Sequence, residues 1–468
     1  NGKWVKSEKM FSVFNPFDGK EIASVYEANK ELATLAAEKA HSAFHMWKNL
    51  RPKERGSFLK KWNELLHIHW EDLATLLTLE QGKPFEQSTH ELMGNNGFFN
   101  WYAEESQRVH GHTMISPDPT RKFSTWKQPV GVVGVVTPWN FPSVLPIQKC
   151  APALAAGCTV IIKPAEDTPL SVLALAELAD RADFPPGVFN VLTCHNPLEV
   201  GNVLTQHQHI KKFTFTGSTP VGKLLTQKCS STAKNVTMEL GGNCPALVFE
   251  DANLDKTIEN LFNFKFYNAG QCCNNVNRFI VHKNIVKPFT ERMSQLIEQR
   301  LILGNGLDKK TTLGPLINKQ AHEKCLRLVK DAVSKGAKII TFGKVKKKNT
   351  LFFEPTILVG ANNTMDLCIE EVFGPVIPIF SFETEKEAIE IANNTSMGLA
   401  AYLFSENIAR TWRVSEMLEA GSVGINTTDV VSELLPFGGW KESGLGRENG
   451  IIGSLDPYLE NKSLIFQL

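Results

Sequence analysis

The chain has 468 residues, 42% of them hydrophobic and 21% charged, with a formal net charge of +1. That apolar content excludes intrinsic disorder, and a balanced charge without a basic stripe excludes a nucleic-acid binder. Apolar runs such as residues 130–136 are too short to span a bilayer as helices, so no membrane partner is expected.

At roughly 150 residues per domain, the length allows two to four structural units. The first part reads as helical. Residues 29–47 and 52–81 carry apolar side chains at helical spacing, and Gly82 punctuates the second stretch. From Val130 short β-rich runs alternate with helices. Strands are expected at 130–136, 159–163, 187–192, 212–216 and 245–250. Helices are expected at 146–156, 169–181, 197–206 and 220–229. Thr168-Pro169 and Thr219-Pro220 read as an N-cap followed by Pro at the first helical position, and Gly157 as a terminating glycine. Strand–helix alternation of this kind builds a parallel sheet covered on both faces.

A second alternating block runs from about 258 to 432. It has helices at 285–301, 319–335 and 385–393, and strands at 278–281, 338–341, 376–382 and 400–404. Two such sheets imply two α/β domains with a ligand cleft at the strand ends. The lysine run 344–348 reads as an exposed loop. Residues 463–468 read as a last strand that pairs with another subunit.

Nine cysteines are scattered along the chain, and none forms a CxxC pair. This points to a reducing compartment, the cytoplasm first and an organelle matrix second. The chain opens with Asn1 rather than Met, which leaves room for a cleaved leader. His67 and His69 lie two apart on a helix and do not share a face. No metal site is expected there or at His110 and His112.

Several residues stand out chemically. Cys273 lies in the polar segment Asn268-Ala-Gly-Gln-Cys-Cys-Asn-Asn275. It reads either as a nucleophile or as an inert half-buried thiol. Glu239, in Met238-Glu-Leu-Gly-Gly-Asn243, is a general base or a salt-bridged surface carboxylate. Asn140 follows the strand 130–136 in a stiff loop with two prolines and two aromatics. It reads as an oxyanion donor or as a turn residue bonding its own backbone. Gly217-Ser-Thr-Pro-Val-Gly222 opens a helix after a strand, as phosphate-binding turns do, without being GxGxxG. Further Gly- and aromatic-rich loops lie at 370–375 and 436–448.

Together these motifs resemble the NAD(P)-dependent aldehyde dehydrogenase superfamily over essentially the whole chain. The segments 137–142, 215–222, 238–242, 270–273, 371–375 and 436–439 fall in family order. The intervals of 99 residues from Asn140 to Glu239 and 34 from Glu239 to Cys273 fit as well. The resemblance implies a Rossmann-like cofactor domain (1–107 and 128–241), a catalytic α/β domain (242–440) and a small oligomerisation β element (108–127 and 455–468). It implies a homodimer or homotetramer. It makes Cys273 the nucleophile, Glu239 the base and Asn140 the oxyanion amide. By the same likeness Lys163 and Glu166 contact the adenosine ribose, and Gly217 and Ser218 the pyrophosphate. Glu371 takes the nicotinamide ribose, Phe373 packs near the nicotinamide, and Thr137, Pro138, Trp139 and Leu240 line the cofactor. A carboxylate at Glu166 favours NAD over NADP.

Within the superfamily the chain is most similar to succinate-semialdehyde dehydrogenases, on the segments 104–111, 163–169 and 437–448. That likeness gives Arg108 and Ser432 to the substrate's far carboxylate. Where the group has a second arginine, six residues before the nucleophile, this chain has Tyr267. Another small aldehyde (glutarate semialdehyde, lactaldehyde or a broad aliphatic set) therefore stays open, as does a non-catalytic homologue.

Overall fold

The computed structural model describes residues 2–342, 351–451 and 454–468. The lysine run at 344–348 lies outside these residues. A six-stranded sheet has the order Gly444–Leu445, Asn235–Glu239, Ile210–Thr216, Val132–Val136, Thr159–Lys163, Phe189–Val191. Its last five strands run parallel, and Gly444–Leu445 joins antiparallel beside Glu239. The chain winds outwards both ways from Val132–Val136. The switch point between that strand and Ile210–Thr216 is where such sheets hold ligands. The two loops singled out above, at 137–142 and 217–222, begin at the ends of those two strands.

A second sheet has seven strands, ordered Lys338–Thr341, Thr356–Val359, Val376–Phe382, Arg278–His282, Pro245–Val248, Ala400–Phe404, Ser422–Ile425. Only Lys338–Thr341 is antiparallel. The inner strands are buried along nearly their whole length, which is why apolar residues dominate them. Each sheet has its own apolar core.

Several expectations change. The stretch 52–81 is two helices, Pro52–Ile68 and Trp70–Gln81, meeting at His69, whose φ of −105° and ψ of 19° leave the helical region. Helix Phe85–Glu105 has no clear apolar stripe in the sequence, because Gly94, Gly97 and several polar residues interrupt it. Tertiary packing of residues such as Leu92, Phe98, Phe99 and Tyr102 makes it helical. Thr219 is not the cap of its helix: Ser218 takes that place, and Thr219 is the first helical residue. Thr168 is a cap by position but makes no capping bond. Glu80, from another helix, accepts the Leu170 and Ser171 N–H groups at 2.8 Å each instead.

The terminal strand is longer than expected, Leu459–Gln467, and its partner lies in the same chain. It pairs antiparallel with Arg121–Pro129 over nine residues, and Thr113–Met114 lies on the far side of that strand. Distant segments find each other here through a backbone ladder that no local pattern announces. Among the described residues no strand pairs with the outer edge of Leu459–Gln467.

Candidate active site

The site lies where loops from both sheets meet. Helix Leu254–Phe266 ends in a tight turn that places Asn268, Ala269 and Gly270 in the left-handed region, at φ of 49°, 53° and 79°. Only glycine fits at 270, since a Cβ there would lie 2.3 Å from the Gly374 carbonyl. The turn delivers Cys273 half-buried at the cleft. The side chain of Gln271 locks it, donating to Asn268 O at 3.1 Å and accepting Ile317 N–H at 2.9 Å. Gly242 passes so near that a Cβ there would sit 2.5 Å from the Cys273 carbonyl.

Asn140 is buried beside this turn, and its Nδ2 donates to Gln271 O at 3.1 Å. An amide nitrogen has two hydrogens, so one remains for a substrate oxygen. The Cys273 thiol is held well above its ordinary range by the neighbouring Cys272 thiol and then by burial. Cys272 itself donates to Asn274 Oδ1 at 2.8 Å.

Glu239 ends its strand buried, and neither carboxylate oxygen has a partner among the described residues. Burial and then the nearby Glu448 push its carboxyl well upwards, and Lys149 pulls the other way. Behind it Lys149 Nζ donates to Glu448 Oε1 at 2.5 Å, and Thr214 Oγ1 donates to the same oxygen at 3.1 Å. The arrangement favours the protonated form of Glu239. Lys149 escapes a reading of the sequence, and Glu448 enters it only as the end of the loop 436–448. The only hint is a lysine inside the mostly apolar run of helix Val144–Ala156.

The cofactor-binding candidates gather along the crevice. Lys163 Nζ bonds Pro164 O at 2.9 Å and Glu166 Oε2 at 3.4 Å, with Glu166 two-fifths exposed. Thr137 and Thr216 are buried with hydroxyls lacking a partner among the described residues. Ser218 holds the cap position of helix Thr219–Ser230 but its side chain makes no capping bond, so N–H groups at that positive end stay available. Leu240 N–H bonds Ser443 O at 2.9 Å. Glu371 accepts Gly242 N–H at 3.3 Å, and burial lifts its carboxyl to about 7. Phe373, at a positive φ of 56°, stands edge-on to Trp139 at 5.4 Å. Unpartnered hydroxyls, a free helix N-terminus and an under-bonded half-buried carboxylate fit a dinucleotide with its phosphates and ribose hydroxyls.

The substrate-binding candidates are less united. Tyr267 stacks on Phe141 at 5.9 Å, and its hydroxyl lies 3.4 Å from His90 Nδ1. Arg108 is exposed and bonded to Glu105 at 2.7 Å. Ser432 Oγ bonds Glu433 Oε2 at 3.4 Å and accepts Leu434 N–H at 3.2 Å. Sequence reasoning passed over His90, Gln87, Lys83 and Glu91, all carried by the unforeseen helix Phe85–Glu105 or the loop before it.

A family model described as "Aldehyde dehydrogenase family" matches residues 4–464. The chain belongs to this family. It is 44% identical over 467 residues to the succinate semialdehyde dehydrogenase of Acinetobacter baylyi, covering 99% of this chain and 96% of that protein. It is 45% identical to a 3-sulfolactaldehyde dehydrogenase of Pseudomonas putida, covering 99% and 95%. Among solved structures, an NADP-dependent enzyme of E. coli superposes with a TM-score of 0.98 at 42% identity, covering 100% and 97%. The betaine aldehyde dehydrogenase of Staphylococcus aureus, in complex with NAD+, gives 0.96 at 34% identity, covering 99% and 93%. This chain is thus an aldehyde dehydrogenase, of a family whose members work with NAD or NADP. Among the described residues no helix is long and apolar enough to cross a membrane.

Proposed function

We propose that the chain oxidises a short aldehyde with a far carboxylate, succinate semialdehyde first, to the acid, with NAD and through a thioester on Cys273. The observation that carries this is the likeness over 99% of the chain to a succinate semialdehyde dehydrogenase. The meeting of Cys273, Asn140 and Glu239 at one cleft supports it. The Cys273 thiolate attacks the aldehyde carbon, and the carbonyl π pair moves to oxygen. The free N–H of Asn140 stabilises that oxyanion, an interaction worth about 2.7–4 kcal/mol in a known case. Bound cofactor supplies the hydride acceptor. The oxyanion pair then re-forms the carbonyl as the thioester, and Glu239 takes a proton from the water that hydrolyses it. Glu371 orients the cofactor by accepting from ribose hydroxyls.

NAD is favoured because Glu166 would repel a 2′-phosphate; its 3.4 Å contact with Lys163 softens the preference without reversing it. The open edge of Leu459–Gln467, with exposed Ile465, Phe466 and Leu468, suits a homodimer or homotetramer. Light scattering would test that. The division into cofactor, catalytic and oligomerisation parts follows the family's plan. Nine free cysteines suit a reducing compartment, the cytoplasm first.

A second reading is the same chemistry on another small aldehyde, lactaldehyde-like or a broader set. It is favoured by the phenol of Tyr267 near the nucleophile turn and by Arg108 being occupied with Glu105. The kcat/KM for succinate semialdehyde against butanal, with NAD, separates the two. A preference of about a hundredfold or more supports the semialdehyde, since a charge-assisted anchor is worth roughly 1.5–3 kcal/mol. Near-equal values sink it in favour of the broader enzyme.

A further inference from the structure

We propose that Lys83, held by Glu91, is a positioning residue for the reaction: its buried ammonium fixes the Asn140 loop from behind. The inference rests on the reading of Asn140 as the oxyanion donor. Lys83 follows the left-handed Gly82 that closes helix Trp70–Gln81, and its side chain is wholly buried. Its Nζ donates to Glu91 Oε2 at 2.6 Å and to the Asn140 carbonyl at 2.7 Å. It also stands 4.1 Å from the centroid of the Phe141 ring. The other oxygen of Glu91 accepts Ser143 N–H at 2.8 Å and Val144 N–H at 3.2 Å. One ion pair therefore ties down both ends of the turn 140–144. From the front, Asn268 Nδ2 donates to the same Asn140 carbonyl at 2.9 Å, while Asn140 Nδ2 donates to Gln271 O. The loop and the nucleophile turn thus meet through Asn140, and Lys83 braces that junction.

Fold stability alone is a poor reason for these charges, because an apolar pair of similar volume often stabilises a core as well or better. A catalytic donor, by contrast, gains from a rigid setting, since a donor already in place needs no reorganisation when charge develops.

The test is a double-mutant cycle on the holoenzyme with Lys83→Met and Asn140→Ala, read as kcat, KM and NAD affinity. Lys83→Met is expected to lower kcat about 10–100-fold with NAD affinity unchanged. In the Asn140→Ala background the same change should cost less than about twofold, as the positioned group is gone. Equal losses in both backgrounds overturn the inference, because Lys83 would then act independently of Asn140. If Asn140→Ala itself costs less than about tenfold, the oxyanion assignment falls first and this inference with it. Should Lys83→Met leave Glu91 too costly to bury, the variant K83M/E91Q has no lone charge. It takes the place of Lys83→Met in the cycle, with the same expected losses and the same refuting result.

Discussion

Glu371→Gln isolates what the half-buried Glu371 carboxylate costs this fold. The carboxyl titrates at about 7 against an ordinary 4.5, chiefly because burial disfavours the charge. Below the unfolded value the group is protonated in both states and stability is unaffected. Between about 4.5 and 7 the unfolded chain ionises while the folded one keeps its proton, so stability falls as pH rises. Above 7 the loss is complete. A gap of that size corresponds to roughly 3 kcal/mol. Part of Glu371 faces the cleft, so screening cuts the expected effect to about 1–2 kcal/mol. Glutamine does not ionise, and its amide oxygen can still accept Gly242 N–H. In urea unfolding, Glu371→Gln should match the parent near pH 4 and exceed it at about pH 8 by that amount, while KM for NAD rises severalfold. A stability difference that stays constant between the two pH values, or a variant weaker at the higher one, would refute the reasoning.

Three further changes probe the rest of the site. Cys272 is the first cause of the raised Cys273 thiol, so Cys272→Ala should keep turnover and move the iodoacetamide inactivation profile to lower pH; an unmoved profile frees Cys272 of that role. With Glu239→Gln the first turnover should still give its burst of NADH while steady-state turnover drops about 10²–10⁴-fold. In the parent, hydrolysis should climb with pH through the raised Glu239 value, and loss of the burst would place Glu239 in the earlier step instead. Lys149→Met strands Glu448 without its cation and should cost about 3–5 kcal/mol in thermal unfolding, most of it regained on adding Glu448→Gln. Equal stabilities for the single and double variants would count against the pair.

Much of the fold was legible where local chemistry and burial agree. Helix Pro169–Arg181 begins at a proline that suits the first helical position, and Thr159–Lys163 and Val376–Phe382 are short apolar runs buried on both faces. Their bounds follow from the sequence directly. Cys273, Glu239 and Asn140 were legible as candidates because polar, Gly-rich loops do not build cores. Taken one at a time they stayed ambiguous, and only their order and spacing resembled a family.

The sequence by itself determined the alternating sheets, the helix stops at Gly82 and Gly157, and the residue types at the cleft. Tertiary structure alone decided which strand receives Leu459–Gln467, that Phe85–Glu105 is helical, and that Glu80 rather than Thr168 caps a helix. It also decided that Lys83, Glu91, Lys149 and Glu448 stand buried behind the catalytic candidates. The physical reason is range. Periodicity, turns and caps are set within a few residues. Buried charges here are set by partners farther along the chain: Lys149 and Glu448 are 299 residues apart, and Lys83, only eight from Glu91, also holds the Asn140 carbonyl 57 residues on.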